Sequence, residues 1–396
     1  MGEARHIGVA ERRARLALRH RLAGAARAAG PEEVAASLVA LHGSDPASVH
    51  LSVGARLADP AKTVAATERA LYEDGTLVRM HGMRTTVFVF PTGLAAVVHA
   101  STGIAVAARE RASLLKDMAK AGAPDAAWLA DVEASALAAL ARRGQATAAE
   151  LAQDEPRLRQ QFVYAAGKSY EGVHTVSTRL LKLLGAEGKV VRGRPLGSWT
   201  SSQFRWAPAP PHPELDPAGA RSTLLARWLT ACGPVTEDDL KWWTGWKVTD
   251  VRRALAAIGA EPVTLDEGPG WVAAGDLDPV DGPREPWAAL LPGLDPTAMG
   301  WRHRDWYLAP ELRPPLFDYS GNVGPTVWWD GRVVGAWAQR PDGEIAWRLL
   351  DRAGVGRDAE AAITAEAERL RAWLGTARVT PRFRTPVEKE LAGGAA

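Results

Sequence analysis

The chain of 396 residues is poor in several residue types that define common protein classes. It contains one cysteine, Cys232, which excludes a disulfide framework and a cysteine-rich zinc site. Its nine histidines are scattered, so we expect no metal site. No apolar run is long enough to cross a membrane, and the first residues lack the apolar stretch of a secretory signal. We therefore expect a cytoplasmic protein that does not contact a membrane.

The sequence also lacks the short motifs of several enzyme classes. It has no His-Glu-x-x-His, no Walker A motif, no Gly-x-Gly-x-x-Gly opening a helix after a strand, and no Gly-x-Ser-x-Gly. These absences argue against zinc proteases, P-loop enzymes, dinucleotide enzymes and serine hydrolases, and we expect no cofactor. The formal net charge of +2 does not by itself indicate a nucleic-acid partner.

Part of the chain is repeated. The segments GQATAAEL (144–151) and GPVTEDDL (233–240) share Gly, Thr and Leu at the same spacing. In each, the Thr is placed to cap a helix, with Glu150 or Asp239 three positions later, as in a capping box. A predicted amphipathic helix precedes each segment, and another helix and a short extended pair follow it. This order of elements is typical of a winged helix.

The first ninety residues predict a third and more distorted copy. Helices are expected near 10–23, 32–42, 47–58 and 61–74, followed by a hairpin in LVRMHGMRTTVFVF (77–90). The alternative is generic helical packing without a true repeat. After residue 285, helical periodicity disappears, and Asp-Gly pairs at 330–331 and 342–343 predict hairpin turns. A last amphipathic helix is expected over 359–374.

These patterns predict an α+β fold with three tandem winged-helix units followed by a C-terminal β-barrel-like domain. The predicted boundaries are 1–95 for the first unit, 96–210 for the second, 211–284 for the third, and 285–396 for the β-rich domain with its terminal helix.

The second unit carries a basic wing, KVVRGRPLGSWTSSQFRW (189–206). Cations bind phosphates, and hydroxyl and amide groups add neutral phosphate contacts. The alternative is a solvated hairpin whose Trp packs on its own domain. His81, expected at an exposed hairpin tip, could contact DNA or simply lie at the surface. The candidate DNA-binding residues are Arg179, Lys182, Lys189, Arg192, Arg194, Ser198, Trp199, Ser201, Ser202, Gln203, Arg205 and His81.

A resemblance to a known family covers nearly the whole chain and is most specific in GRPLGSWTSSQFRW, LLPGLDPTAMGWRHRDWYL and GNVGPTVWWDGRVVGAW. This resemblance is to the AlkZ/YcaQ-type superfamily of DNA glycosylases, which includes azinomycin-type self-resistance enzymes. It implies removal of bulky N7-alkylguanine adducts and unhooking of interstrand crosslinks. It also implies a catalytic Gln-x-Gln or Gln-x-Asp pair, in a segment like LQAQDP. The matching segment here is LHGSDP, which places His42 and Ser44 on the two polar positions.

The resemblance implies that these polar groups hold a water molecule against the anomeric carbon. His42 is a sensible replacement for Gln and could also accept a proton. Ser44 is shorter, and Asp45 could supply the missing carboxylate, although the better interpretation of Asp45 is a cap for the helix that begins at Pro46. The alternative for His42 is a histidine at a helix C-terminus that Gly43 ends. Gly43 would leave room for DNA.

The leading hypothesis is thus a monofunctional, monomeric DNA glycosylase with candidate catalytic residues His42, Ser44 and Asp45. Its partner would be duplex DNA carrying alkylated purines, in a concave and positively lined channel. No lysine lies near the candidate turn, so Schiff-base chemistry is not expected. One alternative is a catalytically inactive winged-helix DNA-binding protein or regulator. Another is a protein that binds an aromatic molecule through the Trp-rich C-terminal domain, whose tryptophans could equally fill its core.

Overall fold

A computed structural model describes residues 4–120, 125–164, 167 and 171–393. Helices account for 49% of the chain and strands for 18%, so the fold is mixed α and β as predicted. The described strands form one three-stranded sheet, one four-stranded sheet and three two-stranded sheets.

The first unit places a two-residue strand between two helices. This strand pairs with the second strand of the hairpin, giving an antiparallel sheet of order β1-β3-β2. The predicted hairpin is present. The elements are α1 (Val9–Arg19), α2 (Pro31–Leu38), β1 (Leu41–His42), α3 (Pro46–Gly54), α4 (Thr63–Tyr72), β2 (Leu77–His81) and β3 (Val87–Pro91).

The interpretation of His42 as a helix C-terminal residue is wrong. Helix α2 ends at Leu38, and its C-cap residue Val39 takes the left-handed φ of 65° that turns the chain out of the helix. The chain is extended by Leu41, which pairs with Val89, and His42 pairs with Phe88. His42 therefore projects from a strand.

The third unit contains the predicted order of helices and a hairpin, and the second contains this order with an additional two-stranded sheet before its last helix. In the second unit the elements are α5 (Ala95–Val98), α6 (Ile104–Lys120), α7 (Ala126–Arg143), α8 (Ala148–Asp154), β4 (Gln161–Tyr164), β5 (Gly172–Thr175), α9 (Val176–Ala186), β6 (Val190–Pro195) and β7 (Phe204–Pro208). In the third they are α10 (Pro217–Cys232), α11 (Glu237–Thr244), α12 (Val248–Ala257), β8 (Glu261–Leu265) and β9 (Gly268–Val272). Both predicted capping boxes are present, at the starts of α8 and α11.

The three units share one further feature. An isolated bridge joins Ala146 to Trp206 in the second unit and Val235 to Trp271 in the third, each directly before the capping Thr. In the first unit β1 pairs with the hairpin in the same way, but Gly43 and Ser44 separate His42 from the capping residue Asp45. The candidate catalytic turn is therefore two residues longer than the connection between the paired residue and the helix cap in the other two units. The winged-helix assignment and the four boundaries stay predictions.

The C-terminal region contains an open sheet, so the prediction of a β-barrel-like domain is corrected. Its four strands run antiparallel in the order β10-β11-β12-β13 and do not close. Helix α15 packs against β10 and β13, and α16 packs against β12, so helices cover this sheet where a barrel would close on itself. The elements are β10 (Ala288–Leu291), α13 (Pro296–Met299), α14 (Arg313–Leu316), β11 (Thr326–Trp329), β12 (Arg332–Gln339), β13 (Ile345–Leu349), α15 (Arg357–Leu374) and α16 (Pro386–Gly393). Both predicted Asp-Gly turns join neighbouring strands.

One hydrophobic core joins the first unit, the third unit and the C-terminal region. It contains Phe90, Trp228 and Trp328, one from each part, and all three are nearly inaccessible to solvent. The second unit has a separate core around α7 and α9. Most tryptophans proposed for ligand binding are core residues: Trp301, Trp306, Trp328 and Trp337 are buried. Their burial leaves the small-molecule hypothesis without an exposed aromatic surface at these positions.

A buried ion pair fixes the first unit to the C-terminal region. Arg56 on the chain after α3 donates two hydrogen bonds, of 2.9 and 2.7 Å, to the carboxylate of Asp295, and neither side chain is exposed. Ser52 donates to the same carboxylate at 2.7 Å. Asp295 and Asp305 both lie close in sequence to Arg302 and Arg304. Asp295 instead pairs with a residue 239 positions away, and Asp305 pairs with Arg313.

Candidate active site

His42 faces a small cavity between the first unit, α10, α11 and the loop around α13. Its ring packs edge-on against Phe88, with 5.3 Å between centroids, and the side chain is partly buried. Its Nδ1 atom is buried and has no hydrogen-bond partner among the described residues. The cavity has a volume of about 30 Å³, lined also by His20, Arg84 and Trp243. A space of this size holds one or two water molecules.

The surroundings of His42 keep its imidazole neutral. Burial, and to a smaller extent the charge of Arg84, lower the pKa of His42 to about 4. A neutral imidazole has one nitrogen that accepts a hydrogen bond. His42 is thus equipped to bind a water molecule in the cavity and to accept its proton.

Gly43 is required by the packing of the turn and not by an approaching ligand. Its N–H donates to the carbonyl oxygen of Val87 at 2.8 Å. A Cβ atom at this position would lie 3.2 Å from the carbonyl carbon of Phe88 and 3.3 Å from its Cα. The space that the sequence suggested for DNA is therefore occupied by the backbone of β3, which is paired on both sides.

Replacing Gly43 by alanine should displace His42 and slow any reaction that depends on it. The added methyl group would push the turn away from β3 by a few tenths of an ångström. We expect about a tenfold slower base release, because small misplacements of catalytic groups are costly, and a loss of stability of about 1–3 kcal/mol. The measurements are single-turnover kinetics and urea unfolding. Gly93→Ala is the matched control, because nothing lies within 4 Å of its Cβ position. Equal kinetics in Gly43→Ala and Gly93→Ala would contradict the expectation.

Ser44 and Asp45 do not share the cavity of His42. The carbonyl oxygen of Ser44 accepts a hydrogen bond from Nη1 of Arg382 at 3.2 Å, and its side chain is half-buried. The carboxylate of Asp45 caps α3, accepting from the N–H of Ala47 at 3.1 Å and from the hydroxyl of Ser48 at 3.3 Å. It also accepts from the N–H of Arg382 at 3.2 Å. With three donors already bound, Asp45 has the structural role that its sequence context favoured, and catalytic roles for Ser44 and Asp45 stay predictions.

The basic wing of the second unit is packed against the first unit. Strand β6 contacts β2, and Trp199 lies against His50 and Trp373, with centroid distances of 4.9 and 6.1 Å. Trp199 therefore packs outside its own unit, which contradicts the alternative that it packs on its own domain, and its contact with DNA stays a prediction. Ser198, Ser202 and Gln203 are exposed at the end of the hairpin and Ser201 is half-buried.

Most predicted DNA-binding cations are paired with carboxylates of this chain. The pairs are Lys182–Glu110, Lys189–Glu133, Lys189–Glu187, Arg194–Glu68, Arg194–Glu73, Arg205–Glu150 and Arg179–Asp117. Arg179 is also buried. Because these acids come from other elements, the sequence of the wing alone overestimates the unbalanced positive charge of the hairpin. Their contact with DNA stays a prediction.

Arg192 differs from the other cations of the wing. It stacks over Phe204 at 4.5 Å, and no carboxylate among the described residues lies within 4 Å of it. Burial, then the charges of Arg79 and Arg382, lower the pKa of Arg192 to about 10. The sequence did not identify Arg79, Arg84, Arg304 or Arg382. The fold brings Arg84 to the His42 cavity and Arg382 to the carbonyl oxygen of Ser44. No local pattern marks either contact.

His81 is buried, so its predicted exposure is wrong. His81 is the last residue of β2, where it pairs with Val87, and only 4% of its surface is exposed. Its ring lies against Gly185, where a Cβ atom would come within 2.9 Å of the imidazole. Burial, followed by the charges of Arg192 and Lys182, lowers the pKa of His81 to about 3. Direct contact with DNA would require this packing to open.

Two buried histidines predict a loss of stability below neutral pH. The pKa of His20, like that of His81, is lowered to about 3, and burial is the largest cause. Since the pKa of an unfolded histidine is about 6.5, the unfolded state binds more protons between pH 3 and 6.5. Stability is therefore complete above pH 6.5 and falls as the pH decreases. We expect a loss of about 2 kcal/mol for each histidine between pH 6.5 and 5, measured by urea unfolding. His42, whose pKa is lowered to about 4, adds a similar loss, so His81→Gln should remove about a third of the total. Equal stability of the wild type at both pH values would contradict the expectation.

The described residues contain no group of three or more His, Cys, Asp or Glu side chains placed to hold a metal ion. Across the same part of the chain, no helix combines the length and apolar character needed to cross a membrane.

Comparisons with known proteins agree with the resemblance seen in the sequence. The family model described as DNA glycosylase AlkZ-like matches residues 35–373. Among solved structures, the Streptomyces sahachiroi DNA glycosylase AlkZ has a similar fold, with a TM-score of 0.68 and 21% sequence identity. The match covers 94% of this chain and 98% of that one. No curated protein matches the sequence.

The chain belongs to the AlkZ-like DNA glycosylase family. It is therefore an enzyme that acts on DNA, and the family membership favours catalysis over the alternative of an inactive DNA-binding protein.

Proposed function

We propose that this glycosylase hydrolyses the N-glycosidic bond of cationic N7-alkylpurines, including bulky adducts, through a water molecule held by His42. Two observations carry the proposal: the His42 imidazole is neutral, with a buried Nδ1 that has no hydrogen-bond partner among the described residues, and His42 lines a cavity of water-sized volume. Duplex DNA carrying the adduct is the proposed substrate, and the enzyme acts as a monomer.

The proposed chemistry needs no strong nucleophile and no acid at the leaving group. Alkylation at N7 gives the purine a positive charge, so N9 takes the electron pair of the breaking bond and the base leaves neutral. The oxygen of water bonds to C1′, and the proton that it loses passes to His42. The sugar becomes oxocarbenium-like as the bond breaks, so a positioned water and a neutral base are the groups the reaction needs.

The size of the cavity supports attack on a lesion that stays in the duplex. About 30 Å³ is enough for water but not for a purine, and still less for a purine with a large substituent. A flipped base needs a pocket that encloses it. A turn that presents water to DNA bound outside the cavity needs no such pocket and tolerates adducts of different sizes.

The test compares a charged substrate with a neutral one of the same shape. Single-turnover base release is measured on duplexes containing N7-methylguanine, a bulky N7-alkylguanine, or 7-deaza-7-methylguanine, which has the methyl group without the charge. Alkali-cleavable abasic sites should form from the first two substrates only. Release of the neutral analogue at a similar rate would contradict a mechanism driven by leaving-group charge. Release from neither N7-alkyl substrate would contradict the proposed substrate class.

A further inference from the structure

Two arginines and a tryptophan form a cluster at the edge of the His42 cavity. The guanidinium carbon of Arg84 lies 4.3 Å from the ring centroid of Trp242, and that of Arg304 lies 5.0 Å from the same centroid. Arg304 also lies 5.4 Å from the ring of Phe317. Arg84 comes from the β2–β3 hairpin, Trp242 from α11, and Arg304 from the C-terminal region. We call these three residues the Arg84–Trp242–Arg304 cluster.

Within the described part of the chain, no acidic side chain balances the positive charge of this cluster. Among the described residues, no carboxylate lies within 4 Å of either guanidinium, although Arg252 on α12 and Arg313 after Arg304 each have an acidic partner. The Nε of Arg304 is buried and has no hydrogen-bond partner in the described part of the chain. Two like charges held together without an acid favour an anion as ligand.

The backbone holds Arg84 in an unfavourable conformation. Arg84 and Thr85 are consecutive non-glycine residues with φ of 53° and 64°, in the left-handed region. Such conformations cost of order 1–3 kcal/mol each and persist where the surrounding structure imposes them. Gly245, at the end of α11, lets the arginine approach, because a Cβ atom there would lie 3.0 Å from Cγ of Arg84. The fold therefore fixes the position of this side chain.

The position of the cluster indicates which anion it binds. Arg84 lines the same cavity as His42 and is itself exposed, so a ligand bound to it from solvent lies beside the candidate catalytic residue. A phosphodiester group of DNA is the anion that a DNA glycosylase brings to this place, and guanidinium groups bind phosphate oxygens with paired hydrogen bonds.

We propose that the Arg84–Trp242–Arg304 cluster binds a backbone phosphate next to the lesion and so sets the position of the damaged nucleotide over His42. The identity of this nucleotide rests on the proposed function, whereas the phosphate contact does not. Contact with Trp242 orders both arginines before DNA arrives, which lowers the entropic cost of binding. Arg84 and Arg304 act as positioning residues.

The first experiment measures binding and does not depend on catalysis. Fluorescence anisotropy with an undamaged duplex measures Kd at several salt concentrations from about 50 to about 200 mM. The proteins compared are the wild type, Arg84→Gln, Arg304→Gln and the double variant that carries both substitutions. Each lost cation should weaken binding about tenfold and reduce the slope of log Kd against log salt by about 0.9. Arg84→Lys should keep the slope of the wild type. Arg252→Gln, which removes an exposed arginine paired with Glu237, should bind like wild type.

The second experiment locates the phosphate. A single neutral methylphosphonate is placed at each backbone position on both sides of an N7-methylguanine. For wild type, one position should reduce affinity about tenfold, and in the double variant the same substitution should have no further effect. Wild-type affinity and slope in the double variant would overturn the inference even if the enzyme releases the base. Normal phosphate dependence without base release would contradict the proposed function and leave the inference standing.

Discussion

Replacing His42 by alanine should lower the single-turnover rate of base release by about 10²–10⁴-fold, the range that a positioned proton acceptor contributes. DNA binding should stay within about threefold of wild type, because His42 faces a cavity too small for DNA. The substrate is a duplex with one N7-alkylguanine, and abasic sites are quantified after alkali. Ser44→Ala is measured beside it as a test of the second candidate residue, whose side chain does not line the cavity. The rate of Ser44→Ala should fall less than about tenfold, below the range expected for loss of a positioned proton acceptor.

A glutamine at position 42 separates two roles of the histidine. Glutamine binds water but does not accept a proton near neutral pH. If His42 mainly positions water, His42→Gln should recover most of the rate lost in His42→Ala. If proton transfer dominates, glutamine should be little better than alanine. Equal rates in wild type and His42→Ala would place the active site elsewhere.

The pH dependence of the rate provides an independent measurement. Burial and the charge of Arg84 lower the pKa of His42 to about 4, so the imidazole stays neutral throughout the range in which the protein is expected to be fully folded. The rate of base release should therefore be nearly constant from about pH 6 to about pH 8, the range in which a histidine with its ordinary pKa of about 6.5 would change charge. A sigmoidal rise in rate with its midpoint near the unperturbed histidine pKa of about 6.5 would indicate an exposed histidine and contradict the geometry of the cavity.

The local features of the fold were predictable because neighbouring residues determine them. The capping boxes of α8 and α11 follow from Thr147 and Thr236 with an acid three positions later, and the structure contains both. The turn at Asp330 and Gly331 has positive φ at both residues, as an Asp-Gly hairpin requires. In each case the responsible groups lie within four residues of one another.

Other features could not be predicted because they depend on contacts between distant elements. Arg194 looked like a free cation of the wing, but Glu68 and Glu73 come from α4 and the residue that follows it. His81 looked exposed, but α9 of the second unit covers it. The same reasoning applies to Arg84 and Arg304, whose common partner Trp242 belongs to the third unit. Pairing across units is invisible in the local pattern of any one unit.

At the candidate site, too, the local features were predictable and the contacts between distant elements were not. His42 and its turn were found through the LHGSDP segment, and the capping role favoured for Asp45 agrees with its hydrogen bonds. The separation of Asp45 from the cavity of His42 was not predictable. It results from the pairing of β1 with β3, which directs His42 toward α10 and α11 while Asp45 turns toward α3 and the chain near Arg382.

Loss of the buried Arg56–Asp295 pair should have the largest effect on stability. Burial alone would raise the pKa of Asp295, but the charge of Arg56 and the hydrogen bonds from Arg56, Ser52 and the N–H of Thr297 outweigh it and lower the pKa. Asp295→Ala leaves the guanidinium of Arg56 unpaired and fully buried. Removing one partner of such a pair costs about 3–5 kcal/mol. Because the pair joins α3 to the C-terminal region within one shared core, we expect a single urea transition at a lower midpoint.

Two controls decide whether the effect comes from the unpaired charge. Asp305→Ala removes the acid of an exposed pair with Arg313, and it should cost about 0–1 kcal/mol. The double variant Arg56→Met with Asp295→Leu removes both charges and should recover much of the stability that Asp295→Ala loses. Leu294 and Pro296, on either side of Asp295, line the His42 cavity, so Asp295→Ala should also slow base release. A stability loss below about 1 kcal/mol would show that water or a structural shift compensates the buried guanidinium, and the cavity of His42 would then not depend on this pair.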